Sequence, residues 1–225
     1  MKRSLLFAAF LCAGPAHAQI APISVVEVFY DAVPSDDGLE WIELWNQGDV
    51  AVDLSTWSLG WGGTTYLSGQ AVLSGVIAPG ARFVVGGPTS SADNASPVFD
   101  LAVDLDSDLQ NSGTTADGVA LFSVPAEEVT AETVPVSVVL YGGENESGLV
   151  DATGGVAAVD VEDAPSGSSI ERGLDGIWRV QPAPTPGAPP QPVPEPGRVV
   201  LAAAGAAAVA SLRADRRTRG ARSRQ

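Results

Sequence analysis

Glu40-Trp41-Ile42-Glu43-Leu44-Trp45-Asn46 is the stretch on which the fold turns. In an extended chain successive side chains alternate, so Ile42 and Leu44 share one face and Trp41, Glu43 and Trp45 the other. Large apolar residues on both faces mark a central strand with one face partly covered by a loop. Asn46-Gln47-Gly48-Asp49 then supplies a turn, with Gly48 free to take a positive φ.

Outward from this strand, glycine and proline punctuate the chain, and β-branched or aromatic residues alternate with polar ones between them. Strands are expected at residues 23–30, 39–46, 57–61, 81–86, 98–105, 118–123, 135–141 and 177–180. No stretch between residues 19 and 181 shows sustained helical periodicity. Many short strands with turn signals between them predict an all-β sandwich or barrel. The loops are long and Gly/Ser-rich, notably residues 86–97 and 142–155.

The ends carry a different signal. Lys2 and Arg3 precede an apolar run over residues 4–13, and Ala16-His17-Ala18 offers the small residues that a signal peptidase reads. Residues 1–18 are expected to be a signal peptide cut before Gln19. Its removal takes away Cys12, His17 and Lys2, the chain's only residues of those types. The mature protein then has no disulfide, and its core alone must hold it. Ser-His-Asp triads, Cys-His dyads, His-ligated zinc and Schiff-base lysines are excluded. From Gln19 to Pro194 three arginines stand against 25 acids, a net charge of −22. Such a body repels phosphate backbones, which argues against nucleic-acid binding.

Residues 182–196 hold eight prolines, the composition of an extended polyproline linker of about 3.1 Å per residue. Pro194-Glu195-Pro196, an apolar run over residues 199–212 and a basic cluster including Arg213, Arg216 and Arg217 follow. Residues 193–225 therefore resemble the PEP-CTERM sorting signal of Gram-negative bacteria. The resemblance implies a single short transmembrane helix in the inner membrane, processing by an exosortase-type membrane protease, and delivery to the cell surface or outside it. The apolar run is shorter than the roughly 20 residues of a standard span. Arg198 and Arg213 can snorkel to lengthen it, and a peripheral alanine-rich helix is the alternative.

Between these signals, residues 20–189 resemble the lamin-tail domain, an immunoglobulin-like β-sandwich. The likeness rests on Val26-Glu27-Val28-Phe29-Tyr30, on Glu40 to Asn46, and on Val52-Asp53-Leu54-Ser55-Thr56-Trp57. It extends to Ile77-Ala78-Pro79-Gly80-Ala81-Arg82-Phe83, Asp117-Gly118-Val119-Ala120-Leu121-Phe122, Ser169-Ile170-Glu171-Arg172 and Asp175-Gly176-Ile177-Trp178. Pro189 stands where the family usually closes with asparagine. The resemblance implies a non-enzymatic interaction or structural module.

Three readings of particular residues stand beside that expectation. Trp41, Trp45, Trp61 and Tyr66 would form a stacking platform for sugar if exposed, making the domain a carbohydrate-binding module of an exopolysaccharide matrix; aromatics in small β domains are more often buried. Asp104, Asp106 and Asp108 share a strand face and invite calcium, although no EF-hand loop is present and a solvated edge has the same pattern. Glu27, Glu40 and Glu43 are carboxylates of the type a hydrolase uses, with nothing to order them as acid and nucleophile. Asn94-Ala95-Ser96 and Asn145-Glu146-Ser147 match the glycosylation sequon.

Overall fold

A computed structural model describes residues 22–107 and 109–190. The chain divides into a compact unit ending at Ala188 and a second segment beginning at Pro189, of which residues 189–190 are described. The signal-peptide residues 1–18, the apolar run 199–212 and the sorting residues Pro194 to Arg217 lie outside the described residues, as does Asp108. Among the described residues no helix is long and apolar enough to cross a membrane.

Among the described residues the unit has twelve strands: β1 (Ile23–Phe29), β2 (Trp41–Asn46), β3 (Val52–Asp53), β4 (Ser58–Gly62), β5 (Gly69–Val72), β6 (Val76–Ile77), β7 (Arg82–Gly86), β8 (Leu101–Ala102), β9 (Ala116–Phe122), β10 (Ser137–Gly142), β11 (Ser169–Arg172) and β12 (Trp178–Gln181). They form a six-stranded sheet in the order β12-β11-β1-β2-β7-β8, a four-stranded sheet β10-β9-β4-β5 and the pair β3-β6. Every pairing is antiparallel except β7 with β8. This is a mostly-β architecture of two main sheets, consistent with an immunoglobulin-like sandwich.

The alternation read from the sequence holds in the central strand. Ile42 and Leu44 join Val25, Val28, Phe83 and Val85 in the main core, with Leu59, Val119, Leu121 and Val139 from the other sheet. Tyr30 stacks on Tyr141 at 4.2 Å between centroids, joining the end of β1 to β10. Each sheet also has a smaller apolar cluster of its own. Tyr66, Phe122, Leu140 and Leu149 form one; Phe29, Leu39, Trp41 and Val84, with Phe99 packed against them, form the other. Gly86 sits opposite Trp41 in the register at a positive φ, and a Cβ there would meet Trp41 Cα at 2.6 Å, so only glycine lets the two backbones approach this closely.

Several elements differ from expectation. The strand foreseen over residues 98–105 shrinks to β8, because beyond it only Leu105 is fully drawn into the core. β3, β5, β6 and β11 were not foreseen, since they are two to four residues long and carry no apolar run. Residues 182–188, read from their prolines as the start of an extended linker, instead fold onto the six-stranded sheet.

A candidate functional site under the C-terminal strap

β2 puts Glu43 between Trp41 and Trp45 on the face turned away from the main core. The register sets Glu43 opposite Glu27 of β1, and Glu27 opposite Glu171 of β11. Three carboxylates thus lie in one row across three adjacent strands. Glu27 and Glu43 are fully buried and Glu171 nearly so. Sequence reasoning had singled out Glu27 and Glu43 by type and missed Glu171. Glu27 and Glu43 carried a signal, as acids inside strands with apolar neighbours on both faces, whereas Glu171 sits between Ile170 and Arg172 in a four-residue strand and carried none.

Residues 182–188, running on from Gln181 of β12, cross this row as a strap. Gln181 Nε2 donates to Glu171 Oε2 at 2.9 Å. Thr185 N donates to Glu27 Oε1 at 3.0 Å, and Ser169 Oγ reaches the same oxygen at 2.6 Å. Thr185 Oγ1 lies 3.2 Å from Glu27 Oε2 and 3.1 Å from Glu171 Oε1. Gly187 N donates to Glu43 Oε2, and Arg82 Nη1 pairs with Glu43 Oε1. Arg82 lies in turn beneath Trp45, its guanidinium carbon 5.4 Å from the ring centroid.

Burial disfavours the charged form of a carboxyl group. It pushes Glu27 up to about 8 against the lowering bonds from Ser169 and Thr185, with the Glu171 and Glu43 charges adding to the rise. Burial pushes Glu43 up as well, while Arg82 and the Gly187 N–H pull it back. Glu40 belongs to a different environment, where its Oε2 accepts from Leu109 N at 2.8 Å. The three carboxylates singled out from sequence therefore make no single catalytic group.

The aromatic platform does not form. Trp41 and Trp61 are fully buried and Tyr66 is 6% exposed, leaving only Trp45 partly open. The reason is that each polar edge finds a loop carbonyl: Trp41 Nε1 bonds Asn94 O, Trp61 Nε1 bonds Ser107 O, Trp45 Nε1 bonds Gly80 O and Tyr66 Oη bonds Val150 O. These aromatics pin loops onto the sandwich. The sequon asparagines do the same. Asn94 Nδ2 donates to Leu39 O and Thr89 O, and Asn145 Nδ2 to Leu149 O and Ala157 O, so both amides are occupied.

Asp104 and Asp106 are exposed while Leu105 between them is buried. Asp106 Oδ1 accepts from the adjacent Ser107 N. Among the described residues no cluster of three His, Cys, Asp or Glu is arranged to hold a metal ion.

A cleft of about 530 Å³ opens elsewhere, between the start of β1 and residues 136–138. Asp151, Thr153, Asp160, Arg172 and Trp178 line it. Asp151 Oδ1 closes its own turn by accepting from Thr153 Oγ1 and N, and these bonds hold its carboxyl below the usual range. Asp160 Oδ2 caps the β10 edge at Leu140 N. Arg172 Nε donates to Gly176 O, and among the described residues no carboxylate lies within ion-pair distance of it.

The lamin tail domain family matches residues 16–161 of the chain. The matched span includes Glu27, Glu43 and Arg82 and ends before β11 and the strap. A comparison with curated proteins finds no match.

Proposed function

This chain belongs to the lamin tail domain family, and on that premise we propose that it is an exported, non-enzymatic interaction or structural module displayed at the cell surface or in the extracellular matrix. The family is an immunoglobulin-like interaction domain rather than a known enzyme family. The observation that carries the reading is the fate of the conspicuous carboxylates: Glu27, Glu43 and Glu171 are sealed beneath the strap and committed to Ser169, Thr185, Gln181, Gly187 and Arg82. A hydrolase would need two carboxyls facing an open cleft. Asp151 and Asp160, which do line a cleft, each commit an oxygen to the backbone of its wall.

Export rests on residues 1–18 as a signal peptide, removed by signal peptidase. Sorting rests on Pro194, Glu195 and Pro196 as the motif of an exosortase-type protease. Residues 199–212 would span the inner membrane and Arg213, Arg216 and Arg217 would hold the C-terminus in the cytoplasm, since positive charge sets orientation. The test compares the wild type with Glu195→Ala and with a truncation before Arg213, in a host carrying the protease. The expected result is a shortened, relocated wild type and two unprocessed variants. Three forms of one size in one place would overturn the sorting reading.

The cleft favours a second reading, carbohydrate binding, at a place other than the four aromatics chosen from sequence. Arg172 offers a donor group there beside the hydroxyls of Ser24, Ser137 and Thr153, while Trp178 belongs to the core. A glycan screen in which Arg172→Ala abolishes a wild-type signal would support it; no wild-type binding would end it.

A further inference from the structure

The carboxylate row is short of protons to share. Thr185 Oγ1 approaches both Glu27 Oε2 and Glu171 Oε1, but a hydroxyl has one proton to donate. Its second contact is a hydrogen bond only if the carboxyl on that side carries a proton and donates to Thr185. Glu171 Oε2 accepts from Gln181 Nε2, and Glu27 Oε1 accepts from both Ser169 Oγ and Thr185 N, so each acid keeps one oxygen, facing Thr185, that can carry the proton. Burial chooses between them: Glu27 is the more deeply buried, and the charged form costs most there. The bonds then run in one direction: Glu27 Oε2–H to Thr185 Oγ1, and Thr185 O–H to Glu171 Oε1.

The charges around the row point the same way. β11 contributes Glu171, β1 contributes Glu27, β2 contributes Glu43 and β7 contributes Arg82, which is committed to Glu43. β12 places Arg179 directly opposite Glu171, but its guanidinium turns to Asp175, at 2.5 and 3.0 Å. The strap brings amides and a hydroxyl and no charge. Three buried acids therefore face one committed cation, and the row is satisfied when it holds one additional proton.

We propose that Glu27, Thr185 and Glu171 form a proton-binding site that fastens residues 182–188 to the sheet, so that loss of its proton releases the strap. With the proton gone, Glu27 and Glu171 repel each other across Thr185 in a dry site, and opening the strap rehydrates both. The strap is the last part of the compact unit before Pro189. Its release frees residues 182–188, up to about 23 Å of chain at roughly 3.3 Å per residue. The inference stands whether or not the tail is sorted as proposed above.

Linkage fixes the direction and the window. A carboxyl raised in the closed state from 4.5 to about 8 holds the strap fully below the lower value and loses that hold as pH rises toward the upper. Opening rises by up to tenfold per pH unit within this window and levels above it. The test is hydrogen exchange of the Thr185 and Gly187 amides in the full chain, corrected for the intrinsic rate, between about pH 5 and 9. The wild type should show opening that rises with pH and then levels, and Glu27→Gln, whose amide cannot ionise, should stay closed with a flat profile. A flat wild-type profile, or an unchanged slope in Glu27→Gln, overturns the proposal. Should that variant fail to fold, carboxyl carbon titration of wild-type Glu27 decides: an inflection above about 6.5 supports the site, and one below it, nearer the ordinary glutamate value, overturns it.

Discussion

On the outer face of the six-stranded sheet, Phe29 and Trp41 lie one side-chain step along β1 and β2 from Glu27 and Glu43. Both pairs are fully buried. The first pair is stacked, 5.7 Å between centroids and nearly parallel, and the loop bearing Asn94 closes over it. The second is a row of acids closed by the strap. The difference teaches that burial alone does not define a seal. Apolar surface leaves water favourably whatever the pH, at roughly 25 cal/mol per Å². Acids leave water only when proton, hydrogen bond and counter-charge are all supplied. One half of the face is therefore indifferent to pH, and the other is governed by it.

Breaking the apolar half should have the largest effect. Trp41→Ala removes a buried indole and its bond to Asn94 O, and should cost roughly 4–5 kcal/mol in denaturant unfolding, equally at pH 5 and pH 8. A pH-dependent cost would blur the contrast between the halves. Arg82→Met strips the acid row of its cation and should cost roughly 3 kcal/mol near neutral pH. That cost should shrink at pH 5, because Glu43 escapes by taking a proton; the same unfolding measurement at the two pH values checks the sign.

A smaller effect sharpens the comparison in the wild type. Its stability should fall by at most about 1.4 kcal/mol per pH unit as pH rises from 4.5 toward 8, and Glu27→Gln should flatten this slope. Melting temperatures across a pH series would show it, and stability that rises through the window would contradict the assignment of the proton to Glu27. The smallest effect belongs to the margin of the acid half. Trp45→Ala, which uncovers Arg82, should cost about 1 kcal/mol, and less at high salt. A cost matching that of Trp41→Ala would mean that the two tryptophans of this strand do the same work.

Much of the scaffold was legible in advance. The period of two in Glu40 to Asn46 fixed which residues face the main core, and the tryptophans on the opposite face correctly announced a cover. The same rule served Asp104 to Asp106, where Leu105 turns in and the acids out; in β1 it breaks at the register shift between Val25 and Glu27, which is why Val25 and Val28 share the core while Glu27 faces away. Composition misled at one place. Prolines at 182, 184 and 186 suggested a linker, yet Thr185 and Gly187 beside them carry the strap's bonds. For the aromatics at 41, 61 and 66 the burial usual in small β domains held over the sugar platform, and their polar edges bond loop carbonyls.

The sequence by itself determined the class of fold, the faces of most of its strands, a core without disulfides and, from Gln19 to Pro194, a supply of acids with only three cations. These follow from local periodicity and counting, which the chain carries in every segment. Only the tertiary structure decided which acids meet. Glu27 finds Ser169 across 142 residues of chain and Thr185 across 158. A one-residue slip of β11 against β1 would send Glu171 to the opposite face and leave the strap without its partner. Register and the path of the returning segment are set by packing of the whole sandwich, and it is this non-local choice that turned three ordinary glutamates into a site.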